Sequence, residues 1–367
     1  MKHCLAATSL FILVATSLIY PSQASQLSPT GTAEERKASN IRGSWVGNLG
    51  RYVTTWGVVT FGEPVHEEIT DRIFGCDGDI CRGLPITRAP VGVIAGVRWN
   101  DDPPFMISSG EGRGTSCKVV QTIRFITQPR CWYELFRDAE KRAAGGEQFT
   151  ADTRSALLYR THFGDLQYLH AMAAADGEAA TRTRQRILDW VEFNWGILLG
   201  EFRLDTSLAS VDIATIHESF SRTVWTVQDL YTLGSPGLRP HIRDMAFGSI
   251  LHQLQDSFAQ GHTERAGPSE SRMCSAGGFE FMAPGEIREF HSYVRQDHAL
   301  HKQADSRGAF QEHLMDEPDV VEIGRILKKA YERRLSWQET KPLFECIYAL
   351  SDQPKHASPG DQFALAH

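Results

Sequence analysis

The sequence predicts a mainly α-helical bundle with a small irregular or β-containing N-terminal part. The main observation is that apolar residues recur at helical spacing in the second half of the chain. The segments with this spacing are 155–175, 182–202, 242–260, 284–304 and 320–334. The alternation of apolar and polar residues that predicts strands is scarce in the same half. A hydrophobic content of 41% is ample for a buried core.

Residues 1–24 have the features of an export signal. Lys2 gives a positive start, residues 5–20 are apolar, and residues 22–24 offer a small-x-small cleavage site. The apolar stretch is shorter than a comfortable bilayer span, so we expect it to be cleaved and not to anchor the chain. The mature protein is then exported, to the periplasm or the extracellular space, without a transmembrane anchor.

The next segment, 25–55, is rich in Ser, Thr, Gly and charge, and predicts a flexible leader or propeptide. We expect one folded domain over 56–350 and a C-terminal tail over 351–367. Near its start, Pro64 followed by acidic residues favours the beginning of a helix. Residues 91–99 are apolar and β-branched, and are the clearest strand candidate.

Six cysteines remain once the signal, with Cys4, is removed. An even number in an exported chain predicts disulfides. Order along the chain is the only ground for pairing them as Cys76–Cys81, Cys117–Cys131 and Cys274–Cys346. No Cys-x2-Cys motif is present, which argues against zinc bound by cysteine.

The formal net charge is −7, and no run of Lys or Arg is present. Proteins that follow a phosphate backbone usually carry basic surfaces, so we expect no nucleic-acid partner.

The most informative motif lies in the segment 251–262, LHQLQDSFAQGH. His252 and Asp256 are four residues apart, and therefore lie on one face of a helix. His262 follows Gly261, a residue that commonly ends helices. Two imidazoles and a carboxylate in this arrangement suit a borderline divalent metal, zinc above all.

A second pair with the same spacing, His301 and Asp305, follows downstream. Seven of the fourteen histidines lie between positions 241 and 313, which favours a metal site over scattered surface histidines. His313 and Glu317 form a rival pair, but Pro318 and the polar residues around it predict a loop.

With a lone His far upstream, this order of motifs resembles the superfamily of zinc-dependent phospholipases C and S1/P1 nucleases. The segments GEPVHEEIT, WNDDPPF, HFGDLQYLHAMA and LHQLQDSFAQGH are most similar to the bacterial phospholipase C branch known from Legionella and Pseudomonas. The likeness extends in order from about position 57 to position 305. It implies a secreted helical phosphodiesterase with two or three zinc ions in one cleft, and it makes 56–350 the catalytic domain.

The resemblance also implies a set of metal ligands. They are His66, Asp101 (with Asp102 as its competitor), either His162 or His170, His252, Asp256, His262, His301 and Asp305. In the family, the Asp that corresponds to Asp256 bridges two zinc ions. The residues that correspond to His262, His301 and Asp305 hold the third ion. Asp101 or Asp102 is the candidate catalytic residue that orients the attacking water. The segment HEEIT begins like the His-Glu-x-x-His motif of metalloproteases, but Thr70 stands in the place of the second His, so that motif is absent.

One departure concerns the N-terminus. Family members commonly begin, after processing, with a Trp whose amino and carbonyl groups bind zinc. Signal cleavage here leaves Ser25, and Trp56 can take that role only after removal of the leader.

The resulting expectation is a monomeric phospholipase C that cleaves phospholipids at a membrane surface into diacylglycerol and a phosphorylated head group. Trp132, Tyr133, Phe279 and Phe281 are candidates for contact with that surface. Two alternatives remain open: a zinc nuclease acting on single-stranded nucleic acid, and a secreted binding protein stabilised by one structural zinc.

Overall fold

The computed structural model describes residues 36–37, 64–81, 88–108, 114–267, 272–314, 316 and 318–365. The predicted export signal, nearly all of the predicted leader, Trp56 and Glu317 lie outside these ranges. Within them the chain forms twelve α-helices and four short strands, which confirms the mainly α-helical fold.

The helices are α1 Val65–Ile73, α2 Val91–Val97, α3 Pro129–Ala144, α4 Leu157–Phe163, α5 Ala180–Leu199, α6 Ala214–Phe220, α7 Val227–Thr232, α8 Ile242–Asp256, α9 His298–Ala304, α10 Arg307–His313, α11 Val320–Arg333 and α12 Trp337–Ile347. Helices α1, α5, α8 and α11 correspond closely to segments that the sequence predicts. Pro64 precedes the first residue of α1, as expected.

Helix α8 lies in the core of the fold, and almost every one of its residues is buried. It crosses α2 at glycines on both helices. A Cβ atom at Gly96 would lie 2.1 Å from the Met245 carbonyl oxygen, and one at Gly248 would lie 2.2 Å from the Val93 carbonyl oxygen. The two backbones can therefore approach more closely than side chains would allow.

The strand expected over 91–99 is wrong, because this segment forms helix α2. The apolar run reflects burial and not strand formation: every residue of α2 after Val91 is buried. A short, fully buried helix has the same composition as a buried strand. Gly92 faces the Cβ atom of Asp244 in α8 and the end of the 3₁₀ turn Pro236–His241, and Gly96, four residues further on, faces the α8 backbone.

The helix expected over 284–304 is also wrong in its first half. The strands are β1 Thr263–Arg265, β2 Arg272–Ala276, β3 Phe279–Ala283 and β4 Ile287–Phe290, paired antiparallel as β1–β4 and β2–β3. Helix α9 begins only at His298. The segment expected as one helix over 155–175 is divided into α4 and a 3₁₀ turn, Gln167–His170. Gly164 ends α4 where a Cβ atom would lie 2.1 Å from the Phe149 carbonyl oxygen.

The three disulfides expected from chain order are confirmed. Cys274–Cys346 joins the β2–β3 hairpin to α12. None of the helices in the described ranges combines the length and the apolar character that a bilayer-spanning segment requires.

Candidate metal centre

Nine of the histidine and aspartate residues singled out in the sequence meet at the end of helix α8, and together they are called the centre. They form three groups of three, and within each group the ligand atoms lie within 4.8 Å of one another. The first group is His66, His252 and Asp256; the second is Asp101, His162 and His170; the third is His262, His301 and Asp305. All nine side chains are buried or nearly so.

The first group joins α8 to α1. Asp256 lies at its centre, with Oδ1 3.3 Å from His66 Nε2 and Oδ2 2.9 Å from His252 Nε2. The rings of His66 and His252 stack with centroids 4.2 Å apart. Each Nδ1 donates to an oxygen atom: His252 to the Val97 carbonyl at 2.6 Å and His66 to Gln255 Oε1 at 2.7 Å. Both imidazoles therefore present Nε2 to the group.

The second group brings together three chain segments. Asp101 follows α2, His162 belongs to α4, and His170 ends the 3₁₀ turn. Asp101 Oδ1 lies 3.9 Å from His162 Nε2 and 3.7 Å from His170 Nδ1. The His162 Nδ1 donates to the Leu158 carbonyl at 3.0 Å, which again leaves Nε2 facing the carboxylate.

The first two groups adjoin each other. His170 Nδ1 is 2.9 Å from Asp256 Oδ2, and His252 Nε2 is 3.8 Å from Asp101 Oδ1. Both His162 and His170 therefore belong to the centre, although the sequence alone left a choice between them.

The third group is built by the loop after α8 and by α9. His262 donates through Nδ1 to the His170 carbonyl at 2.7 Å, and its Nε2 lies 3.3 Å from Asp305 Oδ1. His301 Nε2 lies 3.0 Å from Asp305 Oδ2. Helical i, i+4 spacing holds the last pair together, as the sequence predicts.

The donor atoms fit metal ions. Both Asp101 carboxylate oxygens, His162 Nε2, His170 Nε2 and Asp305 Oδ1 are buried and make no hydrogen bond to any described residue. Burying such atoms without a partner is costly, and a cation at these positions removes the cost. Each group offers three protein ligands, the number typical of catalytic zinc, whereas structural zinc sites use four.

The carboxylates and imidazoles shift one another's protonation strongly. Burial lowers the pKa of His252, but Asp256 and Asp101 outweigh it and raise the pKa to about 9. Burial likewise opposes the shift of His262, whose pKa rises to about 10 beside Asp256 and Asp305. Against the effect of burial, the surrounding histidines hold the pKa of Asp256 and of Asp305 well below the usual range. The centre therefore attracts positive charge, whether from protons or from metal ions.

The pKa of His162 is shifted in the opposite direction to those of His252 and His262. Burial, followed by the charge of His170, holds its pKa well below 6.5. A neutral imidazole is the form that binds a metal ion.

Asp102 lies outside all three groups. Its Oδ1 accepts from the Phe125 backbone N–H at 2.6 Å, and its Oδ2 lies 3.3 Å from Arg124 Nε. Of the two neighbouring aspartates, Asp101 faces the centre and Asp102 holds the loop around Phe125. His313 is also apart, paired with Asp316 at 2.8 Å at the end of α10.

Gln255 is the residue of this site that sequence reasoning missed. It accepts from His66, and its Nε2 donates to Thr70 Oγ1 at 2.9 Å, while Thr70 donates to the His66 carbonyl at 2.8 Å. Its position immediately before Asp256, together with Thr70 in the segment HEEIT, is the only signal that the sequence offers.

An apolar pocket opens beside the centre, between α1, α10 and the end of α8. Three centre residues, His66, Asp256 and Asp305, form part of its wall. The rest of the wall is mainly apolar: Val65, Ile69, Phe258, Ala259, Ala304, Phe310 and Val320, with Gln255, Ser306 and His313. No Lys or Arg of the described chain lines it.

Comparison with known proteins identifies no relative: no family model, no curated protein and no solved structure matches the chain. The geometry alone therefore defines the class of site, three adjoining buried His–Asp groups that can bind metal ions within a helical fold.

Proposed function

We propose that this protein is a zinc-dependent phosphodiesterase of the phospholipase C type. It hydrolyses the glycerol-side phosphodiester bond of phospholipids, and the products are diacylglycerol and a phosphorylated head group. Imidazole and carboxylate ligands without cysteine, in groups of three, support zinc as the metal. The order of motifs that resembles zinc phospholipases supports the reaction.

The observation that carries the choice of substrate is the apolar pocket next to Asp256 and Asp305. A phosphodiester bound by metal ions that these carboxylates hold would have its neighbouring substituent next to that pocket. In a phospholipid the substituent begins with the uncharged glycerol backbone, which Phe258 and Phe310 can contact. In a nucleic acid it includes a further charged phosphate, which is costly to bury without a cationic partner.

When bound, zinc neutralises the charge of the phosphodiester and lowers the pKa of water. The protein supplies orientation: hydrogen bonds to backbone carbonyls fix the rings of His162, His252 and His262. Asp101, with two buried unpartnered oxygens, is the carboxylate best placed to orient a water molecule. The apolar walls exclude bulk water from one side of the reacting group.

Export of the protein is part of the proposal. Three disulfides in the described chain are typical of proteins that mature in an oxidising compartment. Together with the N-terminal signal motif, they support secretion. We further propose that the enzyme acts as a monomer on membrane phospholipids.

The test is to assay two substrates side by side on one preparation. We expect hydrolysis of phosphatidylcholine or phosphatidylethanolamine micelles, lost with a chelator and restored by zinc, with little cleavage of single-stranded DNA. His262→Ala serves as the blank for contaminating enzymes. Rapid metal-dependent DNA cleavage without release of phosphorylated head group would favour the nuclease. Zinc content of one ion and no hydrolysis of either substrate would favour the binding protein.

A pocket variant separates substrate binding from metal binding. Phe310→Ser removes an aromatic wall without touching a ligand. We expect a higher KM for phospholipid, while zinc content and hydrolysis of a small chromogenic phosphodiester stay unchanged. Equal losses on both substrates would contradict the role of the pocket.

A further inference from the structure

Gln296 joins three parts of the chain at the third metal group. It is fully buried, and its side-chain amide donates from Nε2 to the Gly261 carbonyl at 2.7 Å and to the Pro359 carbonyl at 2.8 Å. Gly261 directly precedes His262, and Gln296 itself directly precedes Asp297, which caps α9. Pro359 belongs to the C-terminal segment, defined here as residues 351–365.

These contacts bear on the position of His301. Asp297 caps α9 by accepting from the Ala299 and Leu300 N–H groups, and its carbonyl accepts from the His301 N–H at 2.9 Å. The Gly261 backbone lies against the His301 ring, since a Cβ atom at Gly261 would be 2.8 Å from His301 Nδ1. Gln296 thus fixes the distance between the His262 loop and the helix that carries His301.

The third group depends on this bracing more than the others do. The imidazoles of His66, His162, His252 and His262 are each oriented by a hydrogen bond from Nδ1 to an oxygen atom. His301 makes no such bond to any described residue, and Nδ1 is buried without a hydrogen-bond partner. Apart from the contact of Nε2 with Asp305 at 3.0 Å, its ring is placed by packing against Gly261 and against Tyr293, at a centroid distance of 4.7 Å from the latter.

The C-terminal segment in turn holds the loop that carries Gln296. Backbone hydrogen bonds run from Ser292 N to the Ser358 carbonyl, from Asp297 N to the Phe363 carbonyl, and from Leu365 N to the Arg295 carbonyl. Gly360 has a φ of +85°, and a Cβ atom there would lie 2.6 Å from the His291 ring. The His291 Nδ1 donates to the same Gly261 carbonyl at 3.2 Å.

We propose that Gln296 is a positioning residue of the third metal group, and that the C-terminal segment sets the affinity of that group for its ion by holding Gln296 in place. This proposal rests on the metal-binding part of the proposed function. It assigns to residues 351–365 a role at the centre, although they contribute no ligand.

The test measures zinc on the purified full chain, by elemental analysis and by competition with a chromogenic chelator. Gln296→Met keeps the length of the side chain and removes both hydrogen bonds. We expect one ion to bind about 10–100-fold more weakly, the range found when residues that orient metal ligands are changed. Gly360→Ala, which displaces the C-terminal segment from the His291 ring, should weaken the binding of the same ion.

Gln253→Met is the matched control. Gln253 is also fully buried, donates through Nε2 to a carbonyl, that of Tyr168 at 2.7 Å, and has no partner for Oε1 among the described residues. It lies on α8, and its amide donates to Tyr168 and not to Gly261 or Pro359. We expect it to leave the ion of the third group unchanged even if it lowers the melting temperature.

A double variant identifies which ion is affected. His301→Ala removes a ligand of the third group, so Gln296→Met in that background should cause no further loss of zinc. Wild-type zinc affinity in Gln296→Met, or an additive loss in the double variant, overturns the proposal. Wild-type affinity in Gly360→Ala overturns the role of the segment. A wild-type chain that binds no zinc contradicts the proposed function itself. If His301→Ala leaves zinc binding unchanged, the third group is not a metal site.

Discussion

The His252 ring and the Val97 carbonyl are joined by a hydrogen bond of 2.6 Å, although 155 residues separate them in the chain. Val97 is the last residue of α2, and the bond orients the imidazole of the first metal group. It can form because α2 and α8 cross with almost no side chain between them, at Gly96 and Gly248. The packing of these two helices therefore sets the geometry of the centre.

The first prediction is that Gly248→Ala disturbs both stability and metal binding. The added Cβ atom would meet the Val93 carbonyl oxygen at 2.2 Å, so α2 must move away from α8. Overpacking of this kind costs about 1–3 kcal/mol. Thermal unfolding should show a lower melting temperature, and zinc titration a weaker affinity.

Gly308→Ala in α10 is the control for that substitution. The nearest atom to its Cβ would be Ser306 Oγ at 3.5 Å, an ordinary contact. Alanine favours helix over glycine by about 1 kcal/mol, so stability should stay constant or rise, with zinc affinity unchanged. Equal effects of both variants would argue against the close α2–α8 crossing as the cause.

The ligand pairs on single helices could be predicted from the sequence because their geometry is local. Four-residue spacing places His252 with Asp256 and His301 with Asp305 whatever the rest of the fold does. The choice between His162 and His170 depends on tertiary structure. Gly164 ends α4 between them, and both rings lie near Asp101 Oδ1, at 3.9 Å for His162 and 3.7 Å for His170.

The strand expected over 91–99 shows where local reasoning ends. Burial on all sides selects apolar residues in helices and strands alike, so composition cannot distinguish them. The distinguishing feature is the spacing of Gly92 and Gly96, which has meaning only once α8 is known to pack there. The role of Gln296 is similarly invisible, because its partners lie 35 and 63 positions away.

The second prediction compares the two buried aspartates Asp256 and Asp102. Asp256→Asn should abolish the proposed phosphodiesterase activity and lower the number of zinc ions bound, because the Asp256 carboxylate lies within 3.3 Å of three imidazoles. The helical circular-dichroism signal should stay largely intact. Elemental analysis with an activity assay measures both effects.

Asp102→Asn is its matched partner. It keeps an oxygen for the Phe125 N–H and loses the charge opposite Arg124. We expect a lower melting temperature with the zinc content of the wild type. Loss of zinc from Asp102→Asn alone would contradict the assignment of Asp101 to the centre.

The third prediction concerns the disulfide Cys274–Cys346, which closes a loop of 72 residues. By chain entropy such a loop contributes about 4 kcal/mol of stability. Replacing both cysteines by serine should therefore lower the melting temperature strongly. Peptide mapping of protein purified without reductant should recover the three pairs, with no alkylatable thiol among these six cysteines. Six free thiols would refute the pairing.

The last prediction is that zinc stabilises the protein more at high pH than at neutral pH. In the metal-free protein the pKa of His252 is raised to about 9 and that of His262 to about 10, against about 6.5 in the unfolded chain. A raised pKa gives stability that is fully present below pH 6.5 and is lost as the pH rises through the folded value. Each of these protons accounts for about 1.4 kcal/mol per pH unit over that range.

Zinc requires the same imidazoles in their neutral form, so it competes with the protons that stabilise the metal-free protein. Between pH 6.5 and 9 the melting temperature of the chelator-treated protein should fall more steeply than that of the zinc-loaded protein. The difference between the two should therefore grow with pH, and zinc binding at pH 7 should release protons that a weakly buffered titration detects. In Asp256→Asn, which lacks the carboxylate that raises both pKa values, the pH slope of the metal-free protein should flatten. A difference in melting temperature that stays constant over this range would show that His252 and His262 hold no extra protons in the metal-free protein.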